Sequence, residues 1–325
     1  MSEIKRIAVF TSGGDAPGMN AAIRAVVRTA SYYDLHVYGI QNGYQGMIDG
    51  KINRLERGDV ANIIHTGGTF LKTARSADFM TEAGRANACE NLVAHDIDAC
   101  VAIGGNGTYT GAHVFSKEHD VPFVGIPGTI DNDIYGTDYT IGFDTAINTA
   151  VEAIDRIRDT ADSHSRLFFI EVMGRHAGYI ALNTGIGAGA GYIFLPETET
   201  PIEKLTSDLY RAARRKKLFN MVVVAEGNKN GDAIEIAHIL REKYQLDSKV
   251  TIIGHIQRGG APSAADRVLA SRLGYNAVKG LLDGQKNVAC GIINNEICFT
   301  PFELAISKTK ELNEDLLEMT EILAL

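Results

Sequence analysis

The chain has 325 residues, of which 45% are hydrophobic and 22% charged, and its formal net charge is −8. This length is sufficient for a large buried core and for two lobes, and the acidic balance argues against a non-specific nucleic-acid binder. No apolar run approaches the roughly 18 residues that span a bilayer, so we expect no membrane association. The four cysteines form no CxxC pair, which favours reduced thiols, no zinc site and a cytoplasmic location.

Short β-branched runs alternate with amphipathic segments, which predicts an α/β fold with right-handed crossovers. The predicted strands, interpreted as buried on both faces as in a parallel sheet, cover 4–10, 99–105, 121–127, 166–173, 192–197, 220–227 and 249–256. The predicted helices cover 18–33, 82–95, 108–118, 140–160, 201–217, 231–244 and 262–283. Seven strands are many for one small sheet, so we expect two sheets in two lobes.

Polar or glycine-rich segments follow most of the predicted strands. They are TSGGDAPGMN (11–20), IGGNGTYTG (103–111), PGTIDND (127–133), EVMGRHAG (171–178), VAEG (224–227) and GHIQRGG (254–260). Because ligands of open α/β sheets bind beyond the carboxyl ends of the strands, these segments predict one shared ligand face. The first two lead into helices, whose N-terminal N–H groups favour phosphate, although neither is a Walker A motif. A tight turn explains each one equally well alone, but together they favour a nucleoside triphosphate.

The segment PGTIDND places Asp131 and Asp133 two residues apart. In an extended segment both carboxylates would project to one side, with Asn132 turned away. One acid could then accept a proton from a substrate hydroxyl while the other holds Mg²⁺. The alternative is an ordinary Asx turn, which is also how we interpret GTD at 136–138.

Several arginines lie at predicted strand or turn boundaries, and the guanidinium suits phosphate: Arg75, Arg166, Arg175 and Arg258. Any one of them alone would more often form a surface ion pair. His255 and Glu226 are candidate sugar-phosphate and hydroxyl partners, with packing and helix-dipole roles as the alternatives. The basic run at 214–217 is either a solvated helix end or part of an effector site.

These motifs, together with GGTFLKTAR and the segment from DRIRDT to SHSR, resemble the bacterial type of ATP-dependent 6-phosphofructokinase, in the family's order and over nearly the whole chain. The resemblance implies two Rossmann-like three-layer αβα lobes with mainly parallel sheets, assembled as a homotetramer with active sites shared across subunits. It implies a larger ATP-binding lobe over 1–141 plus 256–306 and a smaller fructose-6-phosphate-binding lobe over 142–255 plus 307–325. It also implies Mg²⁺-dependent transfer of the γ-phosphoryl of ATP to O1 of fructose 6-phosphate in glycolysis.

The resemblance also assigns residues. Asp131 would be the base, Arg175 the charge stabiliser at the transferring phosphoryl, and Arg75 a contact to the nucleotide phosphates. The implied ATP contacts are Gly14, Arg75, Ser76, Gly105, Asn106, Gly107 and Thr108. The implied sugar contacts are Thr129, Asp131, Arg166, Met173, Gly174, Arg175, Glu226, Lys249, His255 and Arg258, with Arg166 and Lys249 reaching a neighbouring subunit's site. The implied effector site, for ADP or phosphoenolpyruvate, comprises Arg24, Arg28, Arg57, Arg158, Arg215 and Lys217.

At the effector site, Gly191 stands where the family usually has a metal-binding acid and Asn62 replaces an aspartate, which argues against activation by Mg·ADP and leaves a bare phosphate effector open. Two residues of the active site also depart from the family pattern. Asn106 replaces an aspartate expected to serve Mg²⁺ beside Asp133, which predicts weaker Mg²⁺·ATP engagement. Lys249 replaces an arginine, which predicts a higher KM for fructose 6-phosphate. A weakly active regulatory paralogue is therefore one alternative. A pyrophosphate-dependent enzyme is another, against which Gly107 and Gly128 argue because small residues there would leave room for ATP.

Overall fold

The structure, a computed structural model, describes residues 4–164, 166–214 and 221–323. The chain divides into two units. The first comprises Met1–Ile130, Ile134–Asp144 and Arg258–Lys310, and the second comprises Asp131–Asp133, Thr145–Gln257 and Glu311–Leu325. The segment with both acids thus groups with the second unit, although the residues on either side of it group with the first.

The described residues include eleven strands and eleven α-helices. The strands are β1 (Arg6–Thr11), β2 (His36–Ile40), β3 (Ile52–Leu55), β4 (Ala99–Gly104), β5 (Phe123–Pro127), β6 (Leu167–Val172), β7 (Tyr192–Phe194), β8 (Met221–Ala225), β9 (Ser248–Ile252), β10 (Val288–Ile293) and β11 (Glu296–Pro301). The helices are α1 (Met19–Tyr32), α2 (Gly43–Ile48), α3 (Glu82–Ala94), α4 (Asn106–His119), α5 (Phe143–His164), α6 (Tyr179–Gly187), α7 (Ile202–Arg214), α8 (Ala233–Tyr244), α9 (Ala264–Leu282), α10 (Phe302–Ser307) and α11 (Glu314–Leu323). Short 3₁₀ helices cover Asp78–Met80 and Gly254–Arg258.

The first unit contains a seven-stranded sheet in the order β11-β10-β5-β4-β1-β2-β3. Its inner pairs are parallel, and both outermost strands, β3 and β11, pair antiparallel with their neighbours. An aromatic cluster fills the core, in which Phe79 stacks on Tyr44 and Phe115 with ring centroids 4.0 and 5.6 Å apart. The continuous apolar runs of β1, β4 and β5 are buried along nearly their whole lengths, as expected for strands covered on both faces.

The second unit contains a four-stranded parallel sheet in the order β7-β8-β6-β9. Its core is built around Phe169, Phe194 and Val222, which are fully buried. The mainly parallel α/β class predicted from the sequence, with two sheets, is therefore confirmed.

The prediction of one buried strand over 249–256 was wrong. The strand ends at Ile252, a 3₁₀ helix follows from Gly254, and Ile252 is 51% exposed. β9 lies at the edge of its sheet, beside β6, which leaves part of its surface exposed, and Gly254, with a φ of 57°, takes the chain out of the extended conformation.

Four strands and several helices were not predicted. The missed strands, β2, β3, β10 and β11, lie toward the two edges of the first sheet, and β3 and β11 carry polar residues that interrupt an apolar run. Helix α6 is apolar around most of its surface and buried, so it has no polar face to create a helical period. Helix α11 has no buried residue.

None of the described helices combines the length and the apolar character that crossing a membrane requires. The four cysteines are free thiols, and Cys100 and Cys290 are buried. Burial raises the pKa of the Cys290 thiol to about 12, which keeps it protonated and unreactive at neutral pH.

Candidate active site

Two glycine-rich turns lie side by side at the carboxyl ends of β1 and β4. These strands are neighbours in the sheet. The strand that follows β1, β2, lies toward one edge of the sheet, and the strand that follows β4, β5, lies toward the opposite edge. Ser12 N donates to the carbonyl of Ile103 at 3.0 Å, and Thr108 Oγ1 donates to the carbonyl of Ser12 at 3.1 Å. The turns therefore meet where the strand order reverses, which is the usual place for a ligand in open α/β sheets.

Gly104 makes the close approach of these turns possible. A Cβ on Gly104 would lie 2.2 Å from Thr108 Oγ1 and 2.4 Å from the Ser12 carbonyl oxygen, so no side chain fits there. Gly105 is the N-cap of α4 and has no side chain to cap the helix, and Asn106 is the first helical residue. The N-terminal N–H groups and the positive end of the helix dipole therefore suit a phosphate group.

A second loop supports the turn after β1. Thr73 Oγ1 donates to the carbonyl of Gly13 at 2.8 Å, and Thr11 Oγ1 donates to the carbonyl of Lys72 at 2.9 Å. Arg75 is exposed on this loop. The Ser76 hydroxyl donates to Gln45 Oε1 and accepts from Phe79 N, so its contacts stabilise the loop itself.

Arg258 and Gly14 lie together in the first unit. Arg258 Nη1 donates to the carbonyl of Asp15 at 3.0 Å, and a Cβ on Gly14 would come within 2.6 Å of the same nitrogen. Thr129 is nearly buried, and its Cβ lies 3.7 Å from where a Cβ on Gly105 would be. Arg258 and Thr129, both predicted sugar contacts, thus lie beside residues predicted to bind ATP.

In the second unit, a turn at Met173–Arg175 follows β6 beside the carboxyl end of β8. Glu226 Oε1 accepts hydrogen bonds from the backbone N–H of Arg175 at 2.8 Å and of Gly174 at 3.3 Å. Arg175 has a φ of 53°, in the left-handed region that long side chains rarely adopt. A Cβ on Gly227 would lie 2.3 Å from the Arg175 carbonyl oxygen, so the turns after β6 and β8 interlock closely.

Asp131 lies next to Arg175 in the same unit. The Arg175 Nε atom is 3.9 Å from Asp131 Oδ2, and the two side chains are 60% and 7% exposed respectively. A nearly buried carboxylate thus adjoins a guanidinium that is open to solvent.

The expected extended geometry of the PGTIDND segment was wrong. Asn132 has a φ of 54°, so the backbone bends into the left-handed region between the two acids. Asn132 is also buried, with 3% of its surface exposed. Asn is among the residues that tolerate this conformation, and the alternation of an extended strand therefore does not decide where Asp131 and Asp133 point.

The remaining predicted substrate residues of the second unit, Arg166, Lys249 and His255, are exposed. Lys249 lies on β9, with its Nζ atom 3.9 Å from Asp247 Oδ2. His255 lies in the 3₁₀ helix that follows β9.

Three of the predicted effector residues gather around α1. Arg24 and Arg28 are one turn apart on this helix, and Arg57 Nε donates to Ser31 Oγ at 2.9 Å. Burial and the neighbouring charge of Arg28 lower the pKa of Arg24 from its ordinary value. Arg158 lies on α5 in the second unit and donates to the carbonyl of Ala188. Arg215 and Lys217 lie outside the described residues.

Sequence reasoning missed two residues that hold these turns in place. Thr73 fixes the turn after β1, and Gln257 is fully buried with Oε1 accepting from Met173 N at 2.8 Å. A polar residue between the candidate contacts His255 and Arg258 was the available signal for Gln257.

The sequence profile of the phosphofructokinase family matches residues 6–281. The chain is 55% identical over 322 residues to the ATP-dependent 6-phosphofructokinase 1 of Thermus thermophilus, covering 99% of this chain and 100% of that protein. Its fold is similar to that of phosphofructokinase from Saccharomyces cerevisiae, with a TM-score of 0.88, 40% identity and coverage of 93% of this chain. This chain spans only 45% of the yeast chain. A pyrophosphate-dependent phosphofructokinase from Marinobacter aquaeolei shares the fold, with a TM-score of 0.84 at 24% identity, covering 99% of this chain and 92% of that one. The chain belongs to the phosphofructokinase family.

Proposed function

We propose that the protein is an ATP-dependent 6-phosphofructokinase, which transfers the γ-phosphoryl of ATP to O1 of fructose 6-phosphate and gives fructose 1,6-bisphosphate and ADP. The observation that carries this proposal is the nearly buried carboxylate of Asp131 beside the exposed guanidinium of Arg175. The attacking sugar hydroxyl must lose a proton, and charge develops on the transferring phosphoryl. Asp131 and Arg175 supply a group for each need.

Each residue acts mainly through position and charge, because phosphoryl transfer requires little covalent chemistry from the protein. Asp131 accepts the proton from the O1 hydroxyl. Arg175 and Arg75 place positive charge at the phosphoryl oxygens, where a planar guanidinium binds bidentately. The turns after β1 and β4 bind the ATP phosphates through backbone N–H groups.

Mg²⁺ is the metal of this proposal, with Asp133 and Asn106 as its protein ligands. Within the described residues no three or more His, Cys, Asp or Glu side chains are grouped to hold a metal ion. Mg²⁺ commonly binds through one or two carboxylates together with substrate phosphates, so this sparse donor set fits a metal that arrives with ATP. When bound, the metal neutralises charge on the β- and γ-phosphate oxygens.

The homotetramer with shared sites and the binding of ADP or phosphoenolpyruvate belong to the same proposal. Arg166 and Lys249 are exposed, as side chains that reach a neighbouring subunit's site must be in a single chain. The grouping of Arg24, Arg28 and Arg57 supports an anionic effector. The cytoplasmic location stays a prediction.

Of the two glycines that argue against pyrophosphate as the donor, Gly107 and Gly128, only Gly107 has the open surroundings that the argument needs. A Cβ on Gly107 would meet no atom within 4 Å, so this position is open, as the ATP argument requires. A Cβ on Gly128 would lie 2.9 Å from Ile103 Cγ2 and 3.1 Å from Met19 Cε. Packing against these neighbours is therefore enough to explain a glycine at position 128, and Gly128 adds no support for ATP as the donor.

The regulatory-paralogue alternative rests on Asn106, which brings no charge to a metal. A coupled assay of the purified protein with fructose 6-phosphate and Mg²⁺ tests all three readings. We expect fructose 1,6-bisphosphate with ATP as donor and none above background with pyrophosphate. Product with pyrophosphate but not with ATP would establish a pyrophosphate-dependent enzyme. Nucleotide binding without product from either donor would establish the regulatory paralogue.

A further inference from the structure

Gln257 is a polar side chain with no exposed surface. Its Oε1 accepts from Met173 N at 2.8 Å, and its Nε2 lies 3.4 Å from the carbonyl oxygen of Ala146, to which it donates. Burying an amide is unfavourable unless both of its ends find partners, and here both do. The donation to Ala146 orients the amide so that its oxygen faces the turn at Met173–Arg175.

This turn is held at three consecutive backbone N–H groups. Gln257 accepts from Met173, and Glu226 accepts from Gly174 and Arg175. None of these oxygens belongs to the turn itself, so the side chains of two other segments determine its shape. A non-glycine residue persists in the left-handed region only where its surroundings fix it, and Arg175 is such a residue.

We propose that Gln257 is a positioning residue that, with Glu226, fixes the turn at Met173–Arg175 and so directs the Arg175 side chain beside Asp131. The proposal rests on the proposed function for the role of Arg175. It assigns Gln257 no contact with substrate. Its effect on the reaction passes through the direction of Arg175, because phosphoryl transfer depends steeply on where the stabilising charge lies.

The substitution Gln257→Met tests this role. Methionine has nearly the same length and volume but neither accepts from Met173 N with useful strength nor donates to Ala146. We expect kcat to fall on the order of tenfold, because small misplacements of a catalytic group are costly, while the KM for ATP stays constant. The control Thr184→Val changes a fully buried hydroxyl on α6 of the same unit and should leave kcat unchanged.

A double-mutant cycle with Arg175→Ala separates positioning from a general structural effect. If Gln257 acts through Arg175, Gln257→Met should lower kcat on the order of tenfold with Arg175 present and by less than about twofold without it. Equal losses in both backgrounds would overturn the proposal.

Gln257→Glu should approach wild-type kcat as pH is lowered, since only the protonated carboxyl can both accept from Met173 and donate to Ala146.

Amide hydrogen exchange tests the same turn without catalysis. In Gln257→Met, exchange over 173–175 should accelerate, and in Thr184→Val it should not. Unchanged exchange over 173–175 in Gln257→Met would overturn the proposal even in an active enzyme. If the wild-type protein does not phosphorylate fructose 6-phosphate, the proposed function fails, and the exchange result still decides whether Gln257 holds the turn.

Discussion

The Arg175 Nε atom lies 3.9 Å from the Asp131 Oδ2 atom. This separation is close enough for electrostatic attraction but too long for a direct hydrogen bond between the two atoms. The Asp131 carboxylate therefore has a cation beside it, but Arg175 Nε does not hydrogen-bond to Oδ2. In the proposed reaction, this arrangement suits a carboxylate that must accept a proton from the substrate.

Asp131→Asn should abolish most of the activity. The amide has nearly the same shape but cannot act as a general base, so we expect kcat to fall by about 10²- to 10⁴-fold with fructose 6-phosphate affinity little changed. Steady-state kinetics and calorimetric titration of the sugar phosphate measure the two effects separately. Asp34→Asn, the same change at an exposed left-handed turn residue, is the control and should keep full activity. A variant at Asp131 with wild-type kcat would remove this residue from the base role.

Asn106→Asp should lower the Mg²⁺ concentration that the enzyme requires. The carboxylate adds a charged oxygen ligand, so we expect half-maximal rate at a several-fold lower Mg²⁺ concentration. The new charge also lies in the first turn of α4, where it should stabilise the helix by about 0.3–1 kcal/mol. Mg²⁺ titrations of the rate and unfolding curves without ligand measure these effects. Asn53→Asp, on an exposed position of β3, controls for added charge; an unaltered Mg²⁺ requirement in Asn106→Asp would remove position 106 from the metal site.

Lys249→Arg should lower the KM for fructose 6-phosphate. The exposed ammonium on β9 would be replaced by a planar fork that binds phosphate bidentately, which we expect to improve KM by roughly threefold. The KM for ATP should not move. Lys243→Arg, at an exposed position near the end of α8, is the matched control. A KM that responds equally to both changes would point to general surface charge rather than to a phosphate contact.

The central strands were readable from the sequence because they are covered on both faces. The runs that form β1, β4, β5 and β8 are almost entirely apolar, and burial of both faces produces that pattern. Edge strands such as β3 and β9 have exposed positions. The composition of β3 therefore does not distinguish it from a loop, and the composition of β9 does not show where the strand ends. The periodic signal therefore fades toward the edges of each sheet.

The geometry of the site was harder to predict than its residues. The bend at Asn132 depends on one left-handed residue, which an argument from strand alternation cannot foresee. The link between Gln257 and Met173 joins residues 84 positions apart through the packing of their unit. Side-chain hydrogen bonds that fix a turn leave no period in a sequence, and they are visible only once the strands are ordered.

Arg85→Met should destabilise the protein, because it breaks an ion pair that joins α3 to α4. Arg85 donates to both carboxylate oxygens of Glu118, at 2.5 and 2.7 Å, and its side chain is only 10% exposed. Since Glu118 retains some access to water, we expect a loss of about 2 kcal/mol, less than for a fully buried pair. Arg54→Met, in the exposed pair with Glu56, should cost less than about 1 kcal/mol. Equal losses in denaturant unfolding would show that the burial of Arg85 adds nothing.

The Arg85–Glu118 pair should also make stability depend on pH. The hydrogen bonds from Arg85 lower the pKa of Glu118 below its ordinary value of 4.5 in the folded chain. A carboxyl with a depressed folded pKa contributes stability above its unfolded pKa and loses that contribution as pH falls through the folded pKa. The difference in unfolding free energy between wild type and Arg85→Met should therefore be full at pH 7 and shrink below pH 4.5. A difference that stays constant across this range would contradict the assigned cause.

Two buried tyrosines of the first core should respond oppositely to loss of their hydroxyl groups. Tyr44 donates to the carbonyl of Thr108 at 2.5 Å, whereas the Tyr109 hydroxyl has no hydrogen-bond partner within the described part of the chain. Tyr44→Phe should cost about 1 kcal/mol, because it leaves a buried carbonyl with one bond fewer. Tyr109→Phe should be neutral or stabilising by up to about 1 kcal/mol, because it removes a buried polar atom that gains nothing in return. Denaturant unfolding of both variants provides the comparison, and each variant controls for the other since both rings stay buried. A clear loss of stability in Tyr109→Phe would mean that an ordered water or another group satisfies that hydroxyl.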